Sequence, residues 1–450
     1  MKLEDPLPLP GAIARPRHKR LWPWALAAAL LLGLGIAWIS GHFGDPGWRD
    51  GPLGSTSNRG MPWRLDWGHT PPNPVVTAQD PEHMVRQIYA QLGQGDRAQA
   101  LETASKLASS FPNFQLGQLL YADLLNISIQ NPVALTDVAG ADEPSLKKRL
   151  NELVLESRRR LYRLSVQDLQ GKLPSSLLYL NPQQSHAAVV DASGSRLYWF
   201  ENRSTADGPL RLQLVRETYV SVGINGTDKW QEGDGKTPVG VYFILRGLPG
   251  ETLPDLFGVG ALTLNYPNAI DLMRRKTGSG IWLHGTPSAQ YARAPESTDG
   301  CVVLANPVME ELLGLPDLRM TPVVIAQQLE WVSSEQAQAG WKAFKPTLDR
   351  WLDARNGHDP EALKKHYSAR YERDNLDLTH WWPRLAQTTL GHMAGKPLEL
   401  ISVLQWQDKD HTIVVTLKDP NQKADSPQPY LRTYWQKEEG LWKLVFQGPT

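Results

Sequence analysis

The chain has 450 residues, more than one ordinary core holds, and its length predicts about two to four domains. Lys and Arg number 47 against 47 Asp and Glu, a balance that argues against a nucleic-acid binder with its basic excess. One cysteine, Cys301, excludes an intramolecular disulfide and any zinc site needing two thiolates from one chain.

Arg15, Arg17, Lys19 and Arg20 precede an uncharged run from Leu21 to Ile39. About 19 apolar residues is one bilayer crossing. Pro23 falls in the first turn, where it costs little, and Trp22, Trp24 and Trp38 flank the run as interface aromatics do. The pattern predicts a cytoplasmic segment 1–20, a transmembrane anchor at 21–40 and everything after it outside. A cleaved signal peptide is the alternative, although no clean A-x-A site follows the run. Residues 41–80, rich in Gly, Pro, Asn, Ser and Trp, read as a linker.

From Pro81 the spacing turns helical: Met84, Ile88, Leu92, then Ala100, Leu101, Ala104, Leu107 and Ala108, with a third helix starting at Phe114. The helix–Gly-Asp–helix–Pro pattern resembles a tetratricopeptide unit, but one unit does not make a solenoid. A small α-helical, TPR-like region over 81–175, spacing or docking the next domain, is the expectation. Strand patterns follow. Ala187–Val190 and Leu197–Phe200 flank a Gly/Ser turn and predict a hairpin. Further strands are predicted over Leu212–Gly223 and Val239–Leu245, in a mostly-β domain that ends near Gln328. The remainder, 335–450, reads as α+β. Trp341, Phe344, Leu348 and Trp351 share a helical face, Leu363, Tyr367 and Tyr371 a second, and Trp381, Trp382 and Leu385 start a third. Four strand-like runs follow between Leu398 and Phe446.

The chemistry concentrates in two short stretches, Ile281-Trp282-Leu283-His284-Gly285-Thr286-Pro287 and Ser297-Thr298-Asp299-Gly300-Cys301-Val302. A thiol at neutral pH is only a few per cent thiolate. A nearby imidazole raises that fraction and later returns the proton to a leaving amine. The backbone N–H groups of Cys301 and Gly300 are candidate oxyanion donors, since glycine adds no obstructing side chain. A metal site of Cys301, His284 and Asp299 has too few ligands to be favoured.

The segment 185–328 resembles the L,D-transpeptidase catalytic domain, also called the YkuD domain. It carries that family's His-Gly motif at His284-Gly285 and its Ser/Thr-x-Gly-Cys motif at Thr298 to Cys301. The Gly-Lys-Thr-Pro-x-Gly stretch stands at Gly235–Gly240 and the Tyr-Pro element at Tyr266-Pro267. The resemblance implies a β-rich sandwich-like fold with no metal and no cofactor. Position by position, it makes Cys301 the acylated nucleophile, His284 its general base, the Gly285 carbonyl the group that orients the base, and Tyr266 a help to the oxyanion. Asp299 stands where most members have His, and its sign is open: it disfavours thiolate yet stabilises an imidazolium. Arg293 is a candidate for the anionic stem peptide, and Lys236 for a substrate carboxylate. The implied substrate is a peptidoglycan stem peptide, and the implied place a single-pass inner-membrane protein with its catalytic part in the periplasm. Cell-wall protein partners would meet the helical and C-terminal regions. A hydrolase on the same fold and a non-catalytic peptidoglycan-binding scaffold remain alternatives. The C-terminal segment resembles, by pattern alone, the SnoaL-like domain of the nuclear-transport-factor-two superfamily.

Overall fold

The computed structural model describes residues 80–128, 144–161, 169, 171–206, 208–357, 359–373, 376–390, 397–420 and 430–449. The anchor expected at 21–40 and almost all of the linker at 41–80 lie outside the described residues. Among those described, no helix is long and apolar enough to cross a membrane.

Helix α1 (Pro81–Gly93) starts where Asp80 accepts from the Glu82 N–H at 2.9 Å. Proline at its first position loses no hydrogen bond, because that N–H has no partner in any helix. Helices α2 (Arg97–Ser110), α3 (Gln115–Ser128) and α4 (Pro144–Leu161) complete the helical region. Its core joins Met84, Ile88, Ala100, Ala104, Leu107 and Phe114, positions the 3.6-residue spacing singles out, with Val85 and Leu116 beside them. The helical reading runs too far, however. Strand β1 occupies Lys172–Pro174, inside the span expected to be helical.

Strand β2 (Leu177–Leu180) precedes the catalytic segment. That segment comprises β3 (His186–Asp191), β4 (Arg196–Asn202), β5 (Leu212–Tyr219), β6 (Val222–Gly223), β7 (Gly240–Pro249), β8 (Gly260–Leu264) and helix α5 (Ala269–Met273). It continues with β9 (Trp282–His284), β10 (Glu296–Thr298), β11 (Val302–Val303), helix α6 (Asn306–Leu313) and β12 (Pro322–Ala326). Eight of these strands form one mixed sheet in the order β11-β9-β8-β7-β12-β3-β4-β5. The predicted hairpin is β3–β4, its turn held by Asp191 Oδ1, which accepts from Gly194 N and Ser193 Oγ, each at 2.9 Å. Both faces of this sheet are covered. Ala188, Val190 and Trp199 pack toward α6, while Val189, Tyr198 and Phe200 join the core shared with the C-terminal sheet. Burial on both sides explains the unbroken apolar run Ala187–Val190.

The C-terminal module holds β13 (Trp331–Ser333), α7 (Ser334–Asn356), α8 (Pro360–Lys364), β14 (Glu372–Arg373), β15 (Leu376–Asp377) and α9 (Leu378–Leu390). Strands β16 (Glu399–Gln407), β17 (His411–Lys418), β18 (Tyr430–Glu438) and β19 (Leu441–Pro449) follow. Its sheet runs β19-β18-β17-β16-β2, and β1 pairs with β13. The module therefore begins before the catalytic segment, not at 335. Strands β1 and β2 leave the helical region and enter this layer, so the catalytic sheet is an insertion within it. Tyr367 and Tyr371 are corrected too. α8 stops at Lys364, and both buried rings lie in the turns beyond it, Tyr367 bridging Leu444.

Candidate active site

His284 ends β9, and Cys301 immediately precedes β11, the edge strand paired with it in parallel. Val303 stands opposite His284 and Val302 opposite Leu283, so the thiol lies two positions before the base along the neighbouring strand. At about 3.3 Å per residue, that offset is about 7 Å of strand. His284 is buried at 3% exposure. Its Nδ1 is 2.7 Å from the Gly285 carbonyl oxygen, which only accepts, so Nδ1 carries the proton and Nε2 presents a lone pair. Burial lowers its pKa to about 4; the Gly285 carbonyl works against that shift, and Arg293 adds to it. The imidazole is thus neutral at physiological pH. The Phe257 ring stands edge-on to it at 5.0 Å.

Cys301 is half-buried and donates to the Gly280 carbonyl at 3.4 Å. Burial pushes its thiol up to about 11. A backbone hydrogen bond from Trp282 opposes the shift, Asp299 reinforces it, and Lys229 and Arg293 oppose it. Of the two effects expected of Asp299, the one on the thiol acts against the thiolate. The resting pair is a neutral thiol and a neutral imidazole on neighbouring strands, so a thiolate at Cys301 requires the thiol proton to move.

The turn before the thiol is tightly wired. Thr298 Oγ1 donates to the Cys301 carbonyl at 2.7 Å and accepts from Gly300 N at 3.1 Å. This corrects one expectation. The Gly300 N–H is committed to Thr298, and of the two candidate oxyanion donors only the Cys301 N–H is without a partner among the described residues. Gly300 is required for another reason. Its φ is +128°, and a Cβ there would meet the Lys236 carbonyl oxygen at 2.5 Å. Gly285 is equally constrained, since a Cβ would collide with the Asn306 carboxamide. That carboxamide holds the turn after the base. Its oxygen accepts from Thr286 N at 3.0 Å and Val259 N at 3.2 Å, and its nitrogen donates to the Thr286 carbonyl at 2.8 Å.

Tyr266 is buried, and its hydroxyl donates to the Thr277 carbonyl at 3.1 Å. Its one proton is already used there, so the expected oxyanion role requires that bond to open. Arg293 is half-buried, donates to the Ser297 carbonyl, and acts electrostatically on His284, Cys301 and Asp299 together. Lys236 is held by its backbone N–H, 3.1 Å from Asp234 Oδ1. The residue that sequence reasoning missed is Lys229. It is buried, 2.8 Å from Asp234, and electrostatically felt by the thiol. Burial would raise the Asp234 carboxyl, but Lys229 and the N–H groups of Trp230, Gln231 and Lys236 hold it at about 2. Nothing in the spacing marks Lys229; only the fold-back of its loop, bridged at Thr227 and Thr237, brings it to the site. Among the described residues no cluster of three His, Cys, Asp or Glu side chains is placed to hold a metal ion.

Residues 185–325 match the model of the L,D-transpeptidase catalytic domain, YkuD. Among solved structures, Bd1075 of Bdellovibrio bacteriovorus is 25% identical, covering 62% of this chain and 98% of that one with a TM-score of 0.50. The helical cell shape determining protein Pgp2 from Campylobacter jejuni is 20% identical over 61% of this chain and 95% of its own, with a TM-score of 0.47. An L,D-transpeptidase from Mycobacterium smegmatis is 15% identical over 32% of this chain and 58% of its own, with a TM-score of 0.20. No curated protein matches the chain.

Proposed function

We propose that the chain is a peptidoglycan L,D-transpeptidase with Cys301 as nucleophile and His284 as general base. The observation that carries this reading is the neutral, buried His284, its Nδ1 tied to the Gly285 carbonyl, on the strand beside that of the thiol. Nε2 takes the Sγ proton as sulfur attacks the amide carbonyl between the L- and D-centres of a tetrapeptide stem. The Cys301 N–H faces the developing oxyanion. The imidazolium returns its proton to the departing D-alanine amine, leaving a thioester. An acceptor amine then attacks, His284 takes the amine's proton, and the restored thiolate recovers it. Arg293 offers a cation to the carboxylates of the stem.

The reading includes an anchor at 21–40 in the inner membrane with the catalytic part in the periplasm. Protease protection in intact spheroplasts tests it, and a protected catalytic segment would reverse the orientation. The C-terminal helices and sheet are read as a SnoaL-like module that helps bind cell wall; unchanged sacculus binding by a Trp382→Ala variant would speak against that.

The deciding experiment incubates the full chain in detergent with purified muropeptides. Crosslinked dimers or exchanged D-amino acids support transfer. Cleavage products alone would make the enzyme a hydrolase, and sacculus binding without turnover a scaffold. Cys301→Ala is expected to lower turnover by at least about a thousandfold; full activity in that variant refutes the mechanism.

A further inference from the structure

The loop between the base and the nucleophile, residues 286–298, does not rest on the catalytic sheet alone. Tyr291 and Ala292 pack into the core of the helical region, far from them in sequence. The Tyr291 ring lies 5.5 Å from Phe111 and 4.9 Å from Phe114, tilted against both. Its backbone N–H donates to the Asn113 carbonyl at 3.1 Å, and Asn113 Nδ2 reaches the Ser288 carbonyl at 3.4 Å. Two residues on, the Arg293 carbonyl accepts from the Tyr219 hydroxyl at 2.8 Å. The Tyr219 ring is covered by the Arg160 guanidinium of α4 at 4.0 Å, and the same guanidinium lies 5.0 Å from Phe114. At the far end of the loop, Arg159 pairs with Glu296 at 3.6 Å. The turn between α2 and α3, with Phe111, Asn113 and Phe114, and helix α4, with Arg159 and Arg160, thus grip the loop at its start, middle and end.

We infer that the helical region is a clamp that positions the 286–298 loop, with Tyr291 as its positioning residue, so that Arg293 is presented to the Cys301 thiol as the receptor for a substrate carboxylate. The inference rests on the reading of Cys301 as nucleophile and deepens it. The helical residues of the clamp lie outside residues 185–325, which match the catalytic domain, and Tyr291 reaches them from inside that span. Tyr291 makes its packing with a ring that shows no hydroxyl partner among the described residues, so the ring and not the hydroxyl is the functional part. The Arg293 guanidinium is held within this loop by the Ser297 carbonyl, and its charge acts on His284, Cys301 and Asp299. Freeing the loop releases that charge from the thiol while leaving the two strands that carry the base and nucleophile paired.

A test needs no peptidoglycan. Cys301 is the only cysteine of the chain, so alkylation of the full chain reads this one site by intact mass. The rate with anionic iodoacetate divided by the rate with neutral iodoacetamide reports a cation beside the sulfur. Arg293→Gln is expected to lower that ratio roughly fivefold, the size of one cation a few ångströms away in a half-shielded site. Tyr291→Ala is expected to lower it to the same level, and Tyr291→Phe to restore it. Phe111→Leu, a milder change on the helical side, gives an intermediate drop and serves if Tyr291→Ala does not fold. A wild-type ratio in folded Tyr291→Ala and Phe111→Leu, beside a lowered one in Arg293→Gln, overturns the clamp. An unchanged ratio in Arg293→Gln overturns the presentation of Arg293. A protein that passes this test but turns over no muropeptide would keep the clamp and lose the transpeptidase reading instead.

Discussion

On its helical side the catalytic sheet meets a buried cluster of charges; on its C-terminal side it shares an apolar core, with the buried Arg432 guanidinium 3.6 Å from the Phe243 ring, and the ion pairs of Arg274 there are partly exposed. Arg196 of β4, 2% exposed, meets Glu82 of α1, and its guanidinium also donates to the carbonyls of Arg159 and Arg160 at 3.1 and 2.9 Å. Arg160 stands 3.7 Å from Glu82 and 2.8 Å from Glu156. On the other side Tyr198, Phe200 and Val324 share a core with Leu404, Trp406, Val414 and Tyr434, and Arg274 reaches Asp408 and Asp410 from a partly exposed position. A buried ion cluster specifies one geometry, because removing one member strands the charges of the others. A rim pair in water does not. The side with the buried cluster is the side that holds the loop between His284 and Cys301.

The sharpest way to break this comparison is Arg196→Ala. It leaves Glu82 with Arg160 and Arg86, each at 3.7 Å, and removes the donors to two α4 carbonyls. The expected loss is about 3–5 kcal/mol in chemical denaturation. A loss under about 1 kcal/mol would mean that the cluster does not join the two regions.

Acid sharpens the same contrast. Burial alone would raise the Glu82 carboxyl, but Arg196 and Arg160 hold it at about 2, against 4.5 when unfolded. A depressed carboxylate contributes stability that is present above pH 4.5 and lost as pH falls toward 2. The amount is on the order of 3 kcal/mol. Glu156 opposes part of it, since burial raises that carboxyl despite Arg160. Glu82→Gln is expected to flatten the melting temperature between pH 4.5 and 2, and a slope as steep as wild type would refute the assignment. Activity should fail sooner. Burial holds His284 near 4, so on the proposed mechanism the neutral imidazole is lost around pH 4, ahead of Glu82. His284 also destabilises the fold as pH drops from 6.5 toward 4, because the unfolded chain binds that proton more readily. A rate that already falls below pH 6.5 would show a solvated, ordinary histidine.

What the sequence made legible follows the range of the interactions. That Cys301 stands on the strand beside His284, with Gly285 against the imidazole, was readable because these residues lie within one short stretch of chain. The strands β16 to β19 were readable because apolar residues recur along each. β2 was not, since Leu180 acquires its meaning only opposite Ser402. Gly300 was misjudged as a donor because its commitment to Thr298 is a matter of turn geometry, not residue type. Tyr291 and Lys229 carried no local signal at all. Each matters through partners that only the fold supplies: Phe111 and Phe114 for one, the thiol for the other.

The smallest expected effect is Arg274→Ala, about 1 kcal/mol, and the reason lies in what its partners keep. Asp408 retains the Asp410 N–H at 3.0 Å and Trp406 Nε1 at 3.2 Å, so its carboxylate is not stranded. Asp410 is open enough to be solvated. The apolar core behind them is untouched by the change. Because the pair is partly exposed, added salt should remove much of its contribution, whereas the buried Arg196 cluster should respond little. Denaturation of both variants at low and high salt makes the comparison directly. A cost for Arg274→Ala that matches Arg196→Ala and ignores salt would show that the C-terminal side is also held by charge.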